Sequence, residues 1–507
     1  NRVLRVGDEE LSLFASLYDS PGTPTTEARL PVLHSRESVR VLQRFAEQPL
    51  KLGDNPDHYV ATEMWHETNS QRDGTIGRET RFPNDISEWM LQGPHFYAGA
   101  LFNKTPNEHC GSPQDYTSLD IGSLPGNYLP RTNYVPDCPA STYAARVPKW
   151  KGRPLTEFYR HVNRRQVSFT GERGLVACVI PPGLGHIDAA VSIAFSSDDE
   201  LMSFSFGALS LPMDFFVRTT GKGDCRADLA KDMPLLQAVL ANEANARVLR
   251  LNCITEPYST LWERMWNPKF KEDSFASRDV RMESFRALSA KWSRDSALRT
   301  DLARRQALLE LDVLAAMSLG VSEEELLSIY RAHYYVMQDN SESRVCGQDG
   351  RFVPTSKTAA RKPAVSLVEL AATLKEQAGF DVHAEYHPDG SNTQELRKQK
   401  VRLGKKEADV LGVSERCTMA DLLAETEVRW SDEDHPEGRP VRLVGLRYTD
   451  PGLEPRMERI YPTPWTRCDR EADYRQAWAE FEHRLGKKMP ESPESDSPNP
   501  KEPGKTS

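Results

Sequence analysis

The sequence predicts an α+β fold: a twisted sheet packed with helices, followed by a mainly helical C-terminal region. Three observations carry that prediction. Residues 175–180 (Leu175, Val176, Ala177, Cys178, Val179, Ile180) form a short apolar run closed by Pro181, Pro182 and Gly183, and residues 189–195 read as a second strand. After them Leu201, Phe204, Ala208 and Leu211 recur at helical spacing behind two capping acids, Asp198 and Asp199. Residues 93–139 are so rich in Pro, Gly, Asn and Tyr that strands and ordered loops are expected there.

Taken in chain order, short apolar runs at 3–6, 11–17 and 39–45 flank a Pro/Gly/Thr linker at 21–26. Ser35 and Glu37 open a helix whose apolar face is Val39, Leu42 and Phe45. Asn84 or Asp85 caps one short turn through Ile86, Trp89 and Met90. Pro212 kinks or restarts the helix begun at 198, because proline is tolerated only in a first turn.

Beyond Asn242 the chain reads as mainly helical. Residues 297–319 place Leu298, Leu302, Leu309 and Val313 on one stripe, and Gly320 stops them with a left-handed C-terminal residue. Ser322 with Glu325, and Ser366 with Glu369, are capping boxes; Gly379 ends the second helix. A basic run occupies 395–406, and Val441, Leu443 and Leu446 mark a strand within 430–455. Asp469 caps a last helix reaching Leu485, with Gly486 past its end, and the Pro/Ser/Glu/Lys tail is expected to be disordered. The expected division is a connector at 1–90, an α+β domain at 91–240, helices at 241–340, a mixed insert at 341–460, a C-terminal helix at 461–487 and a tail at 488–507.

At 507 residues, 38% apolar and 27% charged, the chain suits a globular protein with a sizeable core. No apolar stretch approaches the roughly 20 residues that cross a bilayer, so no membrane partner is expected. The eight cysteines are scattered without a C-x-x-C pair, which predicts reduced thiols in a cytoplasmic protein. A net charge of −9 argues against a whole-surface polycation but not against a local basic face.

Several chemistries lack their residues. Gly221, Lys222 and Gly223 stand without the rest of a phosphate loop, and neither H-E-x-x-H nor G-x-S-x-G occurs. An amino-methyltransferase needs an Asn-Pro-Pro-aromatic loop to grip a flipped base. Residues 55–58 (Asn55, Pro56, Asp57, His58) and 267–270 (Asn267, Pro268, Lys269, Phe270) match its first two letters only. No catalytic residue and no metal ligand is therefore assigned.

Positive charge gathers in residues 146–173, where Arg160, Arg164 and Arg165 stand among eight cations and Trp150, Phe158 and Tyr159 are interleaved. Such a mixture suits a nucleic-acid groove, or equally a solvated helix face with aromatics packed beneath it. A second candidate is the glycine loop at 218–226, with Arg218, Lys222 and Arg226 placed to hold phosphates; a plain helix-to-helix turn is the alternative. A third lies in the loops at 93–97, 103–106 and 129–134, where Arg131, Asn133 and Tyr134 are groups that read base edges.

In order, these segments resemble the C-terminal, target-recognition part of large adenine-specific DNA methyltransferases. The relevant families are type IIG restriction–modification enzymes and the methyltransferases of DISARM and BREX phage defence. Residues 201–236 resemble the target-recognition signature: an apolar helix to Ser210, then Asp214, Phe215 and Phe216, a glycine loop, and Met233, Pro234 and Leu235. Residues 93–106, 128–136 and 183–186, and the closing 467–474 with Ala477 and Trp478, are similar to the same enzymes.

The resemblance implies a helix packed beneath a twisted sheet with loops facing double-stranded DNA. It further implies that S-adenosylmethionine is bound by an upstream methyltransferase domain, that this domain or other defence-system subunits are partners, and that this chain binds no cofactor itself. An opening at Asn1 rather than Met is what a fragment of such an enzyme is expected to show. The other reading is a non-enzymatic scaffold of a defence complex, docking partners on the long helices after residue 297.

Overall fold

The computed structural model describes residues 5–353, apart from 21, 113 and 114, and residues 466–488. Between these it describes 380–386, 400–402, 405, 414–418, 429–430, 441–449 and 458–460. Helices α1 (Asp8–Tyr18) and α2 (Arg36–Ala46) come first. Ser35 caps α2 by accepting the Ser38 N–H, and Val41, Leu42 and Phe45 are buried on its inner face. There follow β1 (Tyr59–Thr62), α3 (Glu67–Arg72) and β2 (Ile76–Arg81). The loop-rich stretch supplies β3 (Met90–Leu91), β4 (Lys104–Pro106), β5 (Tyr116–Ser118) and β6 (Thr132–Pro136). Strand β6 pairs antiparallel with β2, and a small cluster of Trp65, Ile76, Met90, Tyr134, Tyr143, Val147 and Ile187 fills this lobe.

Next come α4 (Ala140–Arg146) and a hairpin of β7 (Lys149–Trp150) and β8 (Arg153–Pro154). They lead to β9 (Arg160–Arg164), β10 (Ala177–Ile180), β11 (Gly185–His186) and β12 (Ala190–Phe195). The central sheet is antiparallel, in the order β1-β12-β9-β10. Every residue of β10 and β12 is buried, and that two-sided burial is why β10 reads as an uninterrupted apolar run and β12 as one broken only by Ser192.

Helix α5 (Asp198–Ala208) packs on this sheet, with Ser197 rather than Asp198 as its cap, and α6 (Leu211–Thr219) restarts at Pro212 with Ser210 capping it. Then follow α7 (Ala227–Ala230), α8 (Ala241–Asn252) and α9 (Ser259–Met265). Helix α10 (Asp301–Leu319) is an interior helix: fifteen of its nineteen residues are buried. It starts four residues later than its apolar stripe predicts, because Thr300 supplies the cap, and it ends on Gly320 at φ 73°. Helices α11 (Glu323–His333), with its Ser322–Glu325 capping box, and α12 (Tyr335–Ser343) complete the layer.

Strand β13 (Val345–Cys346) pairs with β14 (Phe352–Val353) on one side. Further on, β15 (Phe380–Tyr386), β16 (Lys400–Arg402), β17 (Arg416–Thr418), β18 (Arg429–Trp430), β19 (Val441–Thr449) and β20 (Glu458–Ile460) form small sheets in which β19 pairs antiparallel with β15. Strand β21 (Thr466–Arg467) returns to the other side of β13, and α13 (Arg470–Lys488) packs on α10 and α11.

The structure departs from the sequence reading at particular places. Residues 266–300 run as irregular chain with short 3-10 turns rather than as helix, and Met90 belongs to a strand. Gly486 lies inside α13, where it meets no neighbour and needs no left-handed backbone. The boundary drawn at residue 90 crosses the central sheet, since β1 pairs with β12, and one apolar core runs from Phe14 to Phe481. Ser366, Glu369, Gly379 and residues 489–507 lie outside the described residues.

Candidate nucleic-acid interface

The site grows from the end of β9. Beyond Arg164 the chain continues beside the glycine loop that follows α6: the Cys225 N–H donates to the Arg165 carbonyl at 2.6 Å and the Val167 N–H to that of Gly223 at 2.8 Å. Across an open cleft of ≈ 530 Å³ stand Asn133 and Tyr134 of β6, residues 92–94, and Cys110 and Tyr116. Segments separated by more than thirty residues in sequence thus share one concavity.

His95 sets the far wall. Its Nδ1 accepts the Gln92 N–H at 2.9 Å, so the proton sits on Nε2, which donates to the Arg131 carbonyl at 3.2 Å. Burial holds this imidazole down at about 4, and it stays a neutral tie between the two loops. The Asn133 amide lies within that wall: Nδ2 donates to Gln92 Oε1 at 3.0 Å and to the Tyr116 oxygen at 2.8 Å, while Oδ1 accepts from Thr80 at 2.9 Å. Tyr134 donates to Glu67, and burial together with that carboxylate pushes its hydroxyl well above the usual phenol range.

Beside the cleft, Arg165 and the cations of the glycine loop are paired with acids. Arg165 pairs with Asp188 at 2.9 Å and lies 3.7 Å from Asp224. Arg226 pairs with Glu63 at 2.5 Å and with Asp224 at 3.2 Å, and Lys222 with Asp228 at 2.9 Å. These are half-exposed pairs, weak enough to be exchanged for a phosphate oxygen. Arg131 stacks over Phe82 at 4.4 Å.

Two of the predicted site residues are interior groups. Arg160 is fully buried; its guanidinium donates to the Leu184 carbonyl at 2.6 Å, and its charge holds the β9–β12 layer from within. Arg218 is 7% exposed, pairs with Asp214 at 2.9 Å and stacks on Tyr334. Neither guanidinium can reach a duplex, because each has a tertiary partner that only the fold supplies. Arg164 is half-buried and is spent on backbone: Nε donates to the Gly93 carbonyl at 2.7 Å and Nη2 to that of Phe96 at 2.6 Å. It positions the 93–96 loop at the cleft edge.

A scan against protein-family models finds no match, and a comparison with curated proteins finds no relative. The site is therefore read from its geometry.

The basic run at 146–173 divides between the two ends of the sheet. At the end opposite the cleft, the β7–β8 hairpin exposes Lys149, Lys151 and Arg153 around Trp150, with Lys151 donating to Ser196 at 2.8 Å. Along the six residues of β12 that is a separation of about 17 Å.

Sequence reasoning missed Gln92, Gln166, Tyr116 and Arg78, all on the cleft wall. Gln92 adjoins the segment beginning at 93, and Gln166 directly follows Arg165; adjacency was the available signal. Among the described residues no group of three His, Cys, Asp or Glu side chains is placed to hold a metal ion, and no helix is long and apolar enough to cross a membrane.

Proposed function

We propose that this chain recognises double-stranded DNA for an adenine-specific, S-adenosylmethionine-dependent DNA methyltransferase of the restriction–modification or phage-defence kind. The methyl-transfer core and the cofactor belong to a separate domain or subunit. One observation supports this reading above the others: Asn133 and Tyr134, residues 92–94 and residues 164–166 border a single cleft, and the glycine loop is hydrogen-bonded to residues 165–167 at its edge.

Amides and guanidinia are the groups that read base edges bidentately, Gln on adenine and Arg on guanine. Gln166 presents its amide to the cleft, Gln92 lines it with Oε1 held by Asn133 and Tyr116, and Arg165 and Arg78 present guanidinia. The hairpin cations, about 17 Å away along β12, lie half of the ~34 Å pitch of B-DNA from them. In this reading the hairpin holds phosphates while the cleft reads bases.

The test is binding of the full chain to duplexes selected from a random library, measured over a range of salt. Gln92→Ala and Gln166→Ala each reduce discrimination between selected and random duplexes by ~1–3 kcal/mol and leave the salt slope unchanged. No duplex binding at low salt, or variants indistinguishable from the parent chain, removes the proposal.

A further inference from the structure

A second cavity, of ≈ 240 Å³, opens where the first turns of α10 meet the 97–103 and 119–121 loops and α12. Six arginines line it: Arg173, Arg299, Arg304, Arg305, Arg344 and Arg470. Among the described residues only three carboxylates face them, Asp120, Glu172 and Asp301, and no lysine does.

Some of that charge is matched. Arg344 pairs with Glu172 at 2.8 Å, Arg305 with Asp473 at 2.6 Å, and Arg173 and Arg470 share Asp312. Arg299 and Arg304 are different, because among the described residues their guanidinia are held by backbone carbonyls alone. Arg304 donates to Leu298, Gly99 and Leu251 at 2.9–3.0 Å, and Arg299 to Ile254 at 2.6 Å and to Arg294. Glu283, a further acid beside them, turns Oε1 to the N–H groups of Arg299 and Thr300 and its other oxygen towards Arg250. Burial accordingly holds both Arg299 and Arg304 down at about 10. Two more donors, Arg305 Nη2 and Arg470 Nε, are buried with no acceptor among the described residues.

Carbonyls satisfy the N–H geometry of a guanidinium but do not neutralise it, so the wall holds cationic charge that calls for an anion. The planar forks of several arginines suit a phosphate, whose oxygens accept from more than one guanidinium at once. The cavity is smaller than the roughly 300–1,000 Å³ of sites for drug-sized ligands. Phe102, Leu308 and Met337 add an apolar side able to cover a short carbon skeleton.

We propose that this cavity binds a small phosphate-bearing anion, either inorganic phosphate or a sugar phosphate. The site is separate from the DNA-facing cleft, and its proposal does not depend on that reading.

The full chain is melted in rising inorganic phosphate, in ribose 5-phosphate, in ribose, and in sodium chloride of matched ionic strength. A saturable rise in melting temperature with phosphate or its ester, and none with ribose or chloride, is expected. The apparent affinity weakens by at least about tenfold in Arg344→Gln and in Arg299→Gln, and is kept in Arg165→Ala. Arg344 is partly exposed, so Arg344→Gln reads the site even where Arg299→Gln folds poorly. A tighter ribose 5-phosphate response assigns the ester as ligand, and an equal or weaker one assigns the free ion. No saturable response at millimolar phosphate overturns the proposal. So does a response unchanged in both arginine variants, or one abolished only by Arg165→Ala.

Discussion

The Asp312 carboxylate accepts two hydrogen bonds from the Arg173 guanidinium, at 3.0 and 3.1 Å, across 139 residues of sequence and with both side chains buried. The same carboxylate accepts the Leu211 N–H at 2.6 Å and the Tyr474 hydroxyl at 2.7 Å. One acid on α10 thus joins the strand layer, α6 and the last helix.

Asp312→Asn is therefore expected to destabilise the fold by about 3–5 kcal/mol, because it leaves the Arg173 charge buried without its counter-ion. Denaturant midpoints measure this. An Arg173→Met, Asp312→Asn double variant, compared with the two single variants, loses less than their sum; an additive loss would contradict the pairing.

Stability is also expected to fall in mild acid. Burial holds His161 and His186 down at about 3 and His95 at about 4. The folded chain keeps all three neutral, while the unfolded chain takes up protons below the ordinary value near 6.5. Stability is thus complete above about pH 6.5 and declines as pH falls towards the folded values, by ~1.4 kcal/mol per unit for each histidine. Thermal melts at pH 7, 6 and 5 check the slope, and His161→Phe, set against Phe204, flattens it. Equal melting temperatures at pH 7 and 5 would run against the claim.

The hairpin offers a variant that separates fold from binding. Lys151 and Gly152 turn at φ 48° and 77°, a conformation suited to Asn-Gly. Lys151→Asn keeps or raises stability, while removing one phosphate contact lowers the slope of log affinity against log salt by about 1. An unchanged slope would remove Lys151 from the interface.

Gly183 sits at φ +105°, and a Cβ there would come within 2.5 Å of Ile86 Cγ2. Gly183→Ala is expected to cost about 1–3 kcal/mol from the clash alone, read as a shift in denaturant midpoint at constant slope.

Much of the fold was legible because local chemistry decides it. Ser35, Gly320 and the Ser322–Glu325 box each act within one helical turn, and the apolar runs of β10 and β12 announce burial on both faces. The arginines of 146–173 were not legible in that way. Lys149 and Arg160 look alike in sequence, yet one is exposed on a hairpin and the other fully buried. What separates them is a partner far along the chain, such as Leu184 for Arg160 or Asp312 for Arg173. The cleft was half legible: its loops were marked by composition, but their meeting depends on the pairing of β2 with β6 and on the contact of 165–167 with 223–225.

Strand β13 has β14 on one flank and β21 on the other, so Val353 and Thr466 flank the same two-residue strand. The chain departs and re-enters through neighbouring rungs, about 10 Å apart at ordinary strand spacing. A bridge of a few glycines and serines is long enough to close that gap. Two chain ends held that close on one three-stranded ladder make a point at which a lineage can change the length of the intervening sequence without re-registering β13, β14 or β21.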